Sequence, residues 1–150
     1  MYDRVQDGPK PSLVRDLGAT YHAGELESIA QLEPDIVIEC TGASQVMLEV
    51  VGNTARSGIV CLAGVASGGR QIRLDLTGLS RTIVLENDLV FGTVNANRRH
   101  YEAAIEALCA ADAAWLARLI TRRVPLARWR EAFESRAGDV KVVVDFAAAG

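Results

Sequence analysis

Three short apolar runs, "DIVIEC" (35–40), "GIVCLAG" (58–64) and "LVFGTV" (89–94), are each separated from the next by a stretch with helical character. Each run is too short for a buried helix, and β-branched residues fill the first, so all three read as buried strands. Between the first two, Met47, Val50, Val51 and Thr54 fall at i, i+3, i+4 and i+7, one face of a helix spanning 43–56. Between the second and third, "QIRLDL" (71–76) alternates like a half-exposed strand and "TGLSRTIVLEND" (77–88) suits a helix. Buried strands alternating with helices predict an α/β fold, a doubly wound, mostly parallel sheet with helices on both faces.

The flanking segments extend the pattern. Pro11 and Gly18 bracket a helix, "ATYH" (19–22) suits a short strand, and "ELESIAQL" (25–32) a short helix stopped by Pro34. Residues 98–119 read as one helix with Tyr101, Ile105 and Leu108 on one face. "LARWREAFESR" (126–136) reads as another with Trp129, Ala132 and Phe133 turned inward, and "VKVVVDF" (140–146) as a last strand. The 150 residues suffice for one domain with a sizeable core. A net charge of −3 with no basic block argues against a nucleic-acid partner. No apolar run approaches the roughly 20 residues that cross a bilayer, so no membrane partner is expected. The opening "MYDRVQDGPK" lacks the layout of a secretory signal, which makes the cytoplasm the default location. Cys40, Cys61 and Cys109 are far apart, form no C-x-x-C pair and read as buried, inert thiols. Only His22 and His100 could join them, so no metal site is expected within the chain.

Ligands of open α/β sheets bind beyond the carboxyl ends of the strands. Here those ends are "ECTG" (39–42), "LAGVASGG" (62–69) and "TVNAN" (93–97). Gly42 and Gly64 remove side-chain bulk, while Thr41 and Asn95 offer hydrogen bonds; three such ends in succession point to a nucleotide site. Asn95 can donate and accept, which suits a carboxamide or a sugar hydroxyl, but it could equally cap the helix at 98. Arg98, Arg99 and His100 are either a solvated first turn or ligand-directed cations, since positive charge there opposes the helix dipole. Asp3 and Arg4 could hold a ribose and its 2′-phosphate, or belong to a frayed terminus. Lys141 is a surface lysine unless a phosphate lies near. Gly64 and Gly69 have the spacing of a phosphate-binding loop, but Arg70 and Gln71 replace its Lys and hydroxyl residue, and G-x-G-x-x-G is absent.

In chain order, "IECTGA", "GIVCLAGV", "VLENDLVFG", "GTVNANRRHYEAA", "LITRRVPL" and "DVKVVVDF" closely resemble the C-terminal part of the zinc-dependent glucose 1-dehydrogenases of the medium-chain dehydrogenase/reductase superfamily. The resemblance implies oxidation of β-D-glucose to gluconolactone with hydride transfer to NADP or NAD. It implies that Thr41, Gly42, Gly64 and Val65 line the nicotinamide and its ribose, and that Val94 and Asn95 meet the nicotinamide, Asn95 facing the sugar as well. Lys141 would approach the cofactor phosphates, and Asp3 and Arg4 the adenosine ribose, with Arg4 accepting a 2′-phosphate. The catalytic domain that carries zinc precedes this segment in such enzymes, as do the glycine fingerprint and the first strand of the nucleotide-binding fold. Residues 1–150 are therefore expected to be a partial, incomplete Rossmann-type NAD(P)-binding domain without catalytic residues, marginally stable and inactive alone. The alternatives are a non-catalytic nucleotide-binding module and a homo-oligomerisation module acting through the strand at 89–94.

Overall fold

In the computed structural model, which describes residues 1–24, 31–65 and 73–147, the three apolar runs become β1 (Ile36–Glu39), β2 (Ile59–Leu62) and β3 (Leu89–Gly92). They pair in the order β1-β2-β3, and both pairings are parallel. Helix α1 spans Pro9–Asp16, α2 Ser44–Gly52, α3 Leu76–Glu86, α4 Arg98–Ala110 and α5 Ala113–Leu119. After β4 (Ile120–Pro125) come a 3-10 helix (Leu126–Phe133) and β5 (Lys141–Asp145), and β4 and β5 form a second parallel sheet. Parallel strands with helical crossovers are the α/β architecture that the strand–helix alternation demands. The chain divides into two compact units, Gly24–Asn95 and the combination of Met1–Ala23 with Ala96–Gly150. The helix expected at 25–32 and the loop compared with a phosphate-binding loop at 64–71 fall largely outside the described residues.

Within Gly24–Asn95, α2 packs on β1 and β2, and α3 on α2. The strand period of two then splits the sheet. Val60 is 0% exposed on the side that carries Val37 and Glu39, and Val46 of α2 is buried. On the opposite side Ile36, Ile38, Leu89 and Phe91 are exposed, so β1 is buried on one face only. The described part of 71–76 is not a strand: Asp75 accepts a hydrogen bond from the Gly78 amide and caps α3, which starts at Leu76. Asn87, left-handed at φ 61°, ends that helix.

In the other unit the helix expected over 98–119 is two helices. Asp112 adopts an extended conformation and accepts from the amides of Ala114 and Trp115, capping α5. The Trp115 indole donates to the Leu13 carbonyl at 2.9 Å, tying α5 to α1, where Leu13 and Val14 are buried. Tyr101, Ile105 and Leu108 share a face of α4 and all remain exposed. The segment from 126 kinks at Arg128 into a 3-10 helix. With three residues per turn its side chains no longer follow the α-helical face: Trp129 meets Phe133 edge-on at 5.8 Å between ring centroids, but Phe133 points outward and is 79% exposed. The cysteines also depart from expectation. Cys40 lies just past β1 and Cys109 on the open side of α4, both exposed, and Cys61 is half-buried. No group of metal-ligating side chains is gathered among the described residues, and none of their helices is long and apolar enough to cross a membrane.

A single guanidinium closes the β4–β5 crossover. Arg122 donates to both Asp139 carboxylate oxygens, at 3.1 and 2.7 Å, and to the carbonyls of Glu131 and Glu134, at 2.8 and 2.7 Å. The hydrogen bond from Arg122 holds the Asp139 carboxyl below its ordinary range, against the opposing effect of partial desolvation. A carboxyl depressed in the folded state contributes stability above its unfolded pKa of about 3.9 and loses it as pH falls through the folded value. Arg122→Ala is therefore expected to lower the melting temperature most near neutral pH, with the gap to wild type narrowing in acid. Melts of both proteins across this range decide it, and a gap independent of pH would show that the ion pair is not its source.

Candidate functional site at the carboxyl ends of the strands

Because β1, β2 and β3 are parallel and in register, their carboxyl ends share one edge of the sheet. At the first end the Glu39 side chain, 2% exposed, turns back on the chain that follows it. Its Oε1 accepts from the Thr41 amide at 2.6 Å, from the Thr41 hydroxyl and from the Gly42 amide at 3.0 Å; Oε2 also faces the Gly42 amide at 3.2 Å. The Glu39 carbonyl accepts from the amides of Ala63 and Gly64, locking the second end to the first. A Cβ at Gly64 would lie 2.2 Å from the Gly42 nitrogen, so only glycine fits there. Thr41, Gly42 and Gly64 are thus brought together, and the glycines serve contact between strand ends.

Val65 and Val94, following β2 and β3, are 75% and 78% exposed. Asn95 is exposed, and among the described residues its side chain has no hydrogen-bond partner. The cap of α4 is Asn97: its side chain accepts from the His100 amide while His100 Nδ1 accepts from the Asn97 amide. Arg98 pairs with Glu102 on the solvated helix surface. Asn95 is therefore relieved of the capping role.

Asp3, Arg4 and Lys141 belong to the other unit. The N-terminus is tied down rather than frayed: Tyr2 bridges to His22, the Asp3 amide donates to the His22 carbonyl at 3.2 Å, and the terminal ammonium donates to Thr20. Asp3 accepts from Lys10 at 2.5 Å and from the Val5 amide at 3.1 Å. Partial burial works against its ionisation, but the Lys10 bond and charge and the backbone donors win and hold its carboxyl below the usual range. Burial, then the Asp3 charge, push the Tyr21 phenol up. Arg4 and Lys141 are exposed and form no ion pair with any described residue. Sequence reasoning missed Glu39 and Lys10. The signal for Glu39 was present, an acid closing an otherwise apolar strand just before a small polar turn.

The family model for the glucose dehydrogenase C-terminus matches residues 1–146. Glucose 1-dehydrogenase 2 of Vulcanisaeta moutnovskia is 37% identical over 145 residues, which cover 95% of this chain and 41% of the relative. Glucose 1-dehydrogenase of Methanocella arvoryzae is 35% identical over 128 residues, 82% of this chain and 36% of the relative. The structure of Haloferax mediterranei glucose dehydrogenase in complex with NADP, zinc and gluconolactone superposes with a TM-score of 0.86 at 25% identity, covering 99% of this chain and 43% of that one. The chain thus spans about two fifths of the length of these relatives.

Proposed function

Because the chain belongs to the glucose dehydrogenase C-terminus family, we propose that it is the cofactor-binding portion of an NAD(P)-dependent glucose 1-dehydrogenase, inactive by itself. Asn95 carries this reading. With Asn97 taking the cap, Asn95 leaves both a donor and an acceptor at the strand edge, as recognition of a carboxamide and a sugar hydroxyl requires. Thr41, Gly42, Gly64, Val65 and Val94 surround it in sequence or along that edge, and small or apolar groups there suit a flat ring. The nicotinamide, when bound, supplies the hydride acceptor for oxidation of the sugar to a lactone. Asp3 and Arg4 hold the adenosine ribose. Lys10 neutralises Asp3 and leaves the Arg4 charge to a 2′-phosphate, which favours NADP over NAD. Lys141, free of any described carboxylate, meets the phosphates. The zinc that the family resemblance implies is assigned, in this reading, to residues outside this chain.

A ligand that binds only the folded state raises the melting temperature. Millimolar NADP is expected to do so, and Lys141→Ala to weaken NADP binding about tenfold, the usual scale of one charge-assisted hydrogen bond. An unchanged affinity would remove Lys141 from the site. A melt blind to cofactor, with concentration-dependent self-association, would favour the dimerisation reading. In the three-stranded order β3 is an edge strand, and its Leu89 and Phe91 are exposed.

A further inference from the structure

We propose that Glu39 is a positioning residue for the cofactor: it fixes the Thr41–Gly42 turn and orients the Thr41 hydroxyl so that it can only accept a hydrogen bond from the nicotinamide-riboside half. This rests on the reading of the strand edge as a nucleotide site. A threonine hydroxyl has one proton to donate and two lone pairs. Here the proton goes to Glu39 Oε1, and one lone pair accepts from the Ala43 amide at 3.0 Å. One lone pair remains, on a residue that is itself exposed. The group that meets it must be a donor, which a phosphate oxygen or a carbonyl is not. The cofactor has two such donors near its reactive ring, the carboxamide N–H and the hydroxyls of the adjoining ribose.

The carboxylate is suited to this because the three side-chain and amide groups facing it, Thr41 N–H, Thr41 O–H and Gly42 N–H, are all donors. Glutamine at the same position would keep one acceptor oxygen but turn an amide N–H toward the Gly42 N–H. The Thr41 hydroxyl would then lose its fixed direction, and the turn one of its anchors. Glu39 touches no ligand-facing space, so its effect on binding passes through Thr41 and Gly42.

The test is titration of the full chain with NADPH and with two analogues. One is the 3-acetylpyridine form, which lacks the amide N–H; the other lacks the hydroxyls of the nicotinamide-side ribose. Wild type is expected to bind one analogue about fivefold more weakly than NADPH, the scale of one neutral hydrogen bond, and that analogue identifies the donor. Thr41→Val should weaken NADPH binding by the same factor and abolish discrimination against that analogue, while Thr41→Ser should behave as wild type. Glu39→Gln should reproduce the levelled discrimination. A merely structural role would lower affinity for all three ligands equally, and that result overturns the proposal, as does a Thr41→Val variant that binds and discriminates like wild type. If Glu39→Gln does not fold, the exposed Thr41→Val variant decides alone. Wild type that binds no NADPH at all overturns the nucleotide site and the role of Glu39 with it.

Discussion

Gly64→Ala is expected to lower folding stability by about 3 kcal/mol and to abolish NADPH binding, the first effect being of the size found for overpacking at a site that cannot relax. The added Cβ would sit 2.2 Å from the Gly42 nitrogen, 2.8 Å from the Cys40 carbonyl carbon and 2.8 Å from Glu39 Oε2. Two of these are backbone atoms, which no rotamer change can move. The constraint is space and not a left-handed backbone. To admit the methyl group, the Cys40–Gly42 backbone must shift, and the Glu39 hydrogen bonds that hold the turn shift with it. Stability and binding should therefore fall together. Gly52, at the end of α2, is the control: a Cβ there meets nothing. Alanine at that position should be neutral or stabilising by up to about 1 kcal/mol. Urea unfolding and NADPH titration of the two variants separate the cases, and a Gly64→Ala protein as stable as Gly52→Ala would refute the packing argument.

The strands of the first sheet were legible because their signal is local. Runs of β-branched residues bounded by Gly, Pro and Asp placed 35–40, 58–64 and 89–94 within a residue or two of β1, β2 and β3 at their starts. β4 was not legible. "ITRRVP" offers two arginines and a proline, and what makes it a strand is non-local: its parallel register with β5 and the Arg122–Asp139 pair across 17 residues of sequence. The break at Ala111–Asp112 lay within reach, since Asp before an Ala-rich turn is an N-cap signal, but continuous helical periodicity concealed it. The meeting of Thr41, Gly42 and Gly64 beyond β1 and β2 was legible because the carboxyl ends of adjacent parallel strands share one edge of the sheet. Glu39 was passed over although its partners are local: the Thr41 amide and hydroxyl and the Gly42 amide lie only two and three residues further on, so the acid before the Thr-Gly turn was itself the signal. The cysteines misled because their apolar neighbours in sequence do not lie over them in space.

Val60→Asp is expected to unfold the Gly24–Asn95 unit. Val60 sits on the central strand, paired in register with Val37 on one side and Val90 on the other, and is 0% exposed. A carboxylate there would have no partner, and an uncompensated buried charge costs about 3–5 kcal/mol, against a whole-domain stability of roughly 5–15 kcal/mol. The margin is smaller than those figures suggest, because Val46 and Val60 are the only buried apolar side chains of this unit among the described residues. Val60→Ala, which only removes two methyl groups, should cost about 2 kcal/mol and leave a folded protein that still binds NADPH. The two variants together test whether the strand edge depends on this core. Glu39, Thr41 and Gly64 are placed by β1 and β2, so loss of Val60 packing should remove cofactor binding at the same denaturant concentration that removes strand signal. A Val60→Asp protein that unfolds cooperatively at the wild-type midpoint would mean that backbone pairing with β1 and β3, rather than the Val60 contact, holds the edge in place.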